Sequence, residues 1–160
     1  MTDVNWISED LLGSLTAAAR EAPRRRRNYN FHGDDTAPCQ RLLNAVEPES
    51  YIAPHRHLDP AKDETILLVR GRLGLVLFDE TGDVTGQAVL DATASPFGVT
   101  IGAGTFHTLV SLATGSVFFE AKAGPYRPLG EQERAPWAPA EGTPAAVGYL
   151  AVLRGRFSKT

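Results

Sequence analysis

The sequence predicts an all-β protein: a single jelly-roll barrel with a short amino-terminal helix and an irregular, proline-rich carboxyl-terminal segment. Three observations point there. Between Ser50 and Ala123 the chain consists almost wholly of short apolar-alternating runs, separated by Gly71, by Glu80 to Asp83, by Gly102 to Gly104 and by Ala113 to Gly115. No helical periodicity falls between these runs, which favours antiparallel pairing into a sandwich or barrel over a parallel sheet. The 160 residues make one ordinary domain, enough to bury roughly two thirds of the surface that the unfolded chain exposes.

The elements follow in order. Ser8 before Glu9 and Asp10 reads as a helix cap with acids in the first turn, and Leu11, Leu12, Leu15, Ala18 and Ala19 form one apolar face that Pro23 ends. This helix is expected to lie against the body of the domain. The run Arg24 to Arg27 that follows is read as a solvated linker. Cys39 to Val46 has strand length between the loops Gly33 to Pro38 and Glu47 to Ser50. The barrel strands are then Tyr51 to His57, Thr65 to Arg70, Arg72 to Phe78, Val84 to Leu90, Gly98 to Ile101, Phe106 to Leu112 and Ser116 to Ala121. Arg72 to Phe78 is apolar on both faces and so is covered on both, the second face meeting a terminal segment or a second subunit, which makes a homodimer the expected assembly. Past Gly124, Pro125, Pro128, Pro136 and Pro139 interrupt regular structure, Tyr126 and Trp137 are expected to pin the tail, and Ala145 to Phe157 is apolar enough for a strand or a packing helix. The organisation is therefore residues 1–27 as helix and basic linker, 28–124 as barrel, and 125–160 as a segment packed on it.

Composition excludes some functions. With 19 acidic against 16 basic residues there is little incentive to bind a polyanion, so no nucleic-acid partner is expected. Cys39 is the only cysteine; it rules out an internal disulfide, fits a cytoplasmic setting, and is read as buried packing because nothing local would activate it. Met1 to Asp10 lacks the pattern of an export leader, and no window approaches a membrane span, so no membrane partner is expected.

The chemistry is concentrated in His55-Arg56-His57, Glu64 and Gly104-Thr105-Phe106-His107. Residues two apart on an extended segment project from one face about 6 to 7 Å apart, so His55 and His57 can turn onto one ion. Glu64 and His107 complete four donors. Imidazole nitrogens with one carboxylate suit a divalent first-row transition metal (iron, manganese, nickel or zinc), and the absence of thiolates argues against a closed structural zinc knuckle. Such a metal keeps one or two positions free for water or a substrate. On the strand after the second motif, Glu120 and Lys122 share parity with Phe118 and are the candidate acid-base residues, while Arg41, Tyr51 and Lys62 are candidates for holding a substrate. His32, outside both segments, is read as structural.

These residues carry a family resemblance. The pattern His-x-His, then Glu64 with six residues before Gly71, then a second segment ending in Gly104-Thr105-Phe106-His107, resembles the two motifs of the cupin superfamily. Gly102 stands where the second motif usually has proline, and Leu58 to Asp63 is longer than the usual spacer. More narrowly, the strings NYNFH (Asn28 to His32), PCQRLLNA (Pro38 to Ala45), PHRH with Pro60, Lys62 and Glu64, RGR (Arg70 to Arg72), FEAKAGPYRP and WAP resemble the WbuC family of cupin-fold metalloproteins. That resemblance implies a single-domain metal-binding cupin associated with surface polysaccharide gene clusters. The expected function is action on a small polar metabolite such as a sugar or activated sugar, by isomerase, lyase or oxygenase chemistry. The alternative is a non-catalytic, metal-dependent module that binds or senses a small ligand.

Overall fold

The computed structural model describes residues 4–158; Met1 to Asp3, the start of the stretch expected to lack a leader, and Lys159 and Thr160 lie outside it. Helix α1 (Glu9–Glu21) opens on Ser8, whose Oγ accepts the Leu11 N–H at 3.3 Å. The strands are β1 (Arg26–Asn30), β2 (Cys39–Val46), β3 (Glu64–Arg70), β4 (Arg72–Phe78), β5 (Val84–Asp91), β6 (Gly98–Ile101), β7 (Phe106–Ser111) and β8 (Ser116–Ala123). A 3-10 turn, Glu131–Glu133, and helix α2 (Pro144–Gly155) complete the chain.

The strands form two antiparallel sheets, one five-stranded in the order β1-β2-β8-β3-β6, the other three-stranded in the order β5-β4-β7. The sheets enclose an apolar layer that includes Val46, Ile66, Leu68, Leu73, Leu75, Leu90, Leu109 and Phe118. Outside the five-stranded sheet, Leu12, Leu15 and Ala19 of α1 pack on Leu43, Ala45 and Val117, the opposite parity of β2 and β8. Outside the three-stranded sheet, Ala146, Leu150 and Leu153 of α2 pack with Val76, Phe78, Phe106 and Val110. The order of layers is helix, sheet, sheet, helix. Helix α2, within the same chain, is thus what covers the second face of β4.

Gly71 and Gly74 are among the glycines that make close approaches. Gly71, at φ +82°, turns β3 into β4, and a Cβ there would sit 2.5 Å from Ser116 Oγ. At Gly74 a Cβ would lie 2.4 Å from the Phe157 ring, so the bare backbone lets the end of α2 seat on β4.

Four local expectations are corrected. Tyr51 to His57 is extended but forms no strand beyond a bridge at His55, because Pro54 has no N–H to donate to a ladder. Arg26 and Arg27, read as linker, begin strand β1, where pairing to β2 overrides the charge pattern. Arg24 and Arg26 both reach Glu141, at 2.8 and 2.7 Å, and tie β1 to the loop before α2. Cys39, expected inside, is exposed, since it shares the outward parity of Arg41 at the end of β2. Tyr126 is 51% exposed and does not anchor the tail; Trp137 does, packing at 4.8 Å from Phe78 and 6.1 Å from Phe106 between ring centroids.

Candidate metal centre

Main-chain bonds stitch the two histidine segments together. His55 and His107 exchange backbone hydrogen bonds, at 3.0 Å (His55 N–H to the His107 carbonyl) and 2.9 Å (the reverse), and the Gly104 N–H donates to the His57 carbonyl at 2.7 Å. The segments, far apart in sequence, therefore lie side by side at one end of the barrel. The His55 and His57 rings do turn toward one another, with centroids 5.3 Å apart. Arg56 between them turns to the other face, its guanidinium 4.2 Å over the Phe106 ring and its side chain paired with Glu80. Glu133 fixes the next step of the chain, accepting the Leu58 N–H at 3.0 Å.

The donors converge. Ligand atoms of His55, His57 and Glu64 all lie within 4.8 Å of one another. His107 joins from β7: its ring is 4.7 Å from that of His55, and its Nε2 is 3.1 Å from Glu64 Oε2. Glu64, the first residue of β3, reaches them because the long spacer from Leu58 to Asp63 loops outward before the strand begins.

Protonation states decide what this arrangement is suited to hold. The Nδ1 atoms of His55 and His107 face the carbonyls of Ala53 and Thr105 at 3.0 and 2.9 Å. A carbonyl only accepts, so each Nδ1 carries the proton and each Nε2 presents a lone pair inward, which is the way a ligating histidine is oriented by its surroundings. For His107 that lone pair stands 3.1 Å from a Glu64 oxygen. Either the ring takes up a second proton or a cation stands between them. His57 Nε2 is also buried, 3.6 Å from Glu64 Oε2 and with no hydrogen-bond partner. Burial of an unsatisfied imidazole nitrogen is costly, and a metal ion would satisfy it. The residues present fit a divalent transition metal.

The charges agree. Burial alone would raise the Glu64 carboxyl, but the hydrogen bond with His107, the close approach of the His57 ring, a hydrogen bond with Glu120 and the nearby Lys122 charge hold it well below the usual carboxylate range. Burial, followed by the His107 charge, pushes His55 down to about 4, so its ring is a neutral donor near pH 7. Glu120, buried and facing the Glu64 charge, is pushed up to about 8. Its Oε1 is 2.5 Å from Lys122 Nζ and its Oε2 accepts from Asn44 Nδ2 at 2.8 Å, while Lys122 is also 3.4 Å from Glu64 Oε1. Glu120 and Lys122 thus face into the barrel beside the donors.

The other expected residues are placed unevenly. Lys62 lines the mouth of the site and donates to the Pro125 carbonyl at 3.1 Å. Tyr51 does not reach the site: its ring is buried under α2 and its hydroxyl donates to the Pro139 carbonyl at 2.9 Å. The parity it shares with His55 and His57 does not carry over, because the segment between is no regular strand. Arg41 is on the outer face of β2, the parity of Leu43 and Ala45, and points away. His32 is structural, its Nδ1 3.0 Å from the Arg41 backbone.

Sequence reasoning missed Gln40, Asn44, Tyr126 and Arg127. Gln40, Tyr126 and Arg127 line a mouth of about 190 Å3 together with His55, His57 and Lys122. Asn44 borders a deeper cavity of about 140 Å3 with Glu64, His107 and Glu120. Gln40 and Asn44 carried a signal, since both occupy the inward parity of β2 where Val46 is core. Tyr126 and Arg127 carried none, because the fold-back of the tail is a tertiary event.

Solved structures place this architecture. The chain is similar to KdgF from Halomonas sp., with a TM-score of 0.50 and 16% identity over 67% of this chain and 85% of that one. It is also similar to a cupin superfamily protein from Desulfitobacterium hafniense DCB-2, with a TM-score of 0.50 and 10% identity over 68% of this chain and 86% of that one. These likenesses establish the cupin jelly-roll barrel. Among the described residues no helix is long and apolar enough to cross a membrane. No curated protein sequence matches the chain. Residues 7–90 match a family model, and the chain belongs to the family described as Domain of unknown function (DUF6016).

Proposed function

We propose that this chain is a metal-dependent enzyme acting on a small polar metabolite, such as a sugar or activated sugar, that carries an anionic group. A divalent transition metal would be held by His55, His57, Glu64 and His107. The observation that carries this reading is the convergence of these donors at an open mouth, with His57 Nε2 buried and unpartnered. When bound, the metal supplies Lewis acidity toward a ligand oxygen.

The chain's own residues supply the rest. Lys62 and Arg127 border the mouth and would attract the anionic part of the substrate. Glu120 and Lys122 share a buried contact through which a proton can move between a carboxyl and an amine, and they stand within reach of whatever lies over Glu64. Asn44 fixes the Glu120 carboxyl from below. The resemblance to the WbuC family supports the choice of sugars in surface polysaccharide metabolism as the first substrates to try.

The test is to strip the purified protein, reload it singly with iron(II), manganese, nickel or zinc, measure metal content, and screen sugar phosphates and sugar nucleotides for conversion. One metal per chain with turnover is expected, and Glu120→Gln should lower kcat with the metal retained. Full occupancy without conversion across the panel would replace this reading with that of a binding or sensing module.

A further inference from the structure

The concave face of the five-stranded sheet extends past the metal centre. Beyond β8 the sheet continues through β2 to the edge strand β1, and a cavity of about 330 Å3 opens along these two strands. It is walled by Asn28, Asn30, Asn44, Gln40, Lys122 and Tyr126, among others, and shares Gln40, Lys122 and Tyr126 with the metal mouth. Asparagine is depleted in strands because its side chain competes for backbone hydrogen bonds. Here three occupy one face of two neighbouring strands, Asn28 standing directly opposite Asn44 in the register. Strand stability does not select that pattern.

The hydrogen-bond bookkeeping shows what the face offers. Asn28 Nδ2 donates to Asn30 Oδ1 at 2.7 Å and Asn44 Nδ2 is taken by Glu120 at 2.8 Å. The Asn28 and Asn44 carbonyl oxygens remain as acceptors, and the Asn30 amide as a donor. Amide groups that mix donors and acceptors match hydroxyl groups, each of which both gives and accepts a hydrogen bond, and Asp35, Glu120 and Lys122 border the same cavity as further partners for hydroxyls. Tyr126, half-exposed on the same wall, offers an aromatic ring to the C–H face of a saturated ring.

We infer that Asn28, Asn30, Asn44 and Tyr126 form a second subsite that binds an uncharged, hydroxyl-rich ring, contiguous with the metal mouth. A ligand filling both sites would have two units, one held at the metal and one on the asparagine face. The inference deepens the proposed function, and its test is run apart from it, on metal-free as well as metal-loaded protein.

Methyl α-glucopyranoside, methyl β-galactopyranoside and myo-inositol are titrated into both forms and binding is read by saturation-transfer NMR. At least one should bind with and without metal. The exposed pair N28A/N30A should weaken that binding at least tenfold, with unchanged Tm and unchanged metal content, and Tyr126→Ala should weaken it severalfold. Absence of transfer to all three probes, or transfer that N28A/N30A leaves unchanged, would overturn the subsite. A metal content of zero with probe binding intact would overturn the metal reading alone.

Discussion

The two ends of the barrel are built from the same strands yet hold opposite chemistry. On β3, Ile66 and Leu68 fill the closed end with hydrocarbon while Glu64, one step of two residues earlier, is an ionised ligand candidate at the open end. On β8, Phe118 is core while Glu120 and Lys122 form a buried polar pair. On β2, Val46 is core and Asn44 supports Glu120. Parity chooses the face, and distance along the strand chooses the chemistry. The closed end gains stability from burial; the open end spends some of it to hold unsatisfied donors in place.

This contrast can be broken most strongly at the closed end. Phe118→Ala should cost about 3 to 5 kcal/mol of folding stability, measured by denaturant unfolding, because it removes a buried ring and leaves a cavity. The surviving folded protein should keep its metal. If metal content falls in step with stability, the two ends are not separable.

At the open end the order of effects reverses. His55→Ala or His107→Ala should lower metal content more than tenfold by elemental analysis, with a smaller loss of stability in the metal-free protein. Lys122→Met comes next. It leaves Glu64 and Glu120 buried side by side without their cation, and a loss of roughly 3 kcal/mol is expected in the metal-free form. Added metal should recover part of that loss by compensating Glu64, readable as a larger metal-induced rise in Tm than in the parent chain.

The smallest effect concerns the surface clamp beside the site. The Leu58 and Gly130 N–H groups lower the Glu133 carboxyl below its ordinary value. With its folded value below its unfolded one, Glu133 stabilises the protein above about pH 4.5, and this contribution is lost as pH falls through the folded value. Glu133 is partly exposed and screened by solvent, so Glu133→Gln should lower Tm only slightly at pH 7 and by less at a pH below the folded value. An equal effect at both values would contradict the carboxylate role.

Much of the barrel is legible from alternation. The bounds Arg72–Phe78, Gly98–Ile101 and Cys39–Val46 follow directly from where the apolar pattern starts and the turn residues end it. The donors were legible because His-x-His places two rings on one side of any extended segment. Tyr51 was not correctly placed by the same parity reasoning, since parity is meaningful only along an unbroken strand, and Arg41, chosen as a guanidinium on a strand, points away because its side of β2 is the outer one. Arg26 and Arg27 read as linker because charge on an edge strand looks like charge on a loop; pairing with β2 is what makes them a strand.

By itself, then, the sequence determined the strand periods, the turn glycines, the capped helix and the short motifs that carry the candidate donor side chains, all properties of a few consecutive residues. Tertiary structure alone decided that His107 meets Glu64, that Glu120 and Lys122 face inward, and that the tail brings Tyr126 and Arg127 over the mouth. The physical reason is that these contacts join segments tens of residues apart, and only the packing of two sheets fixes which faces meet.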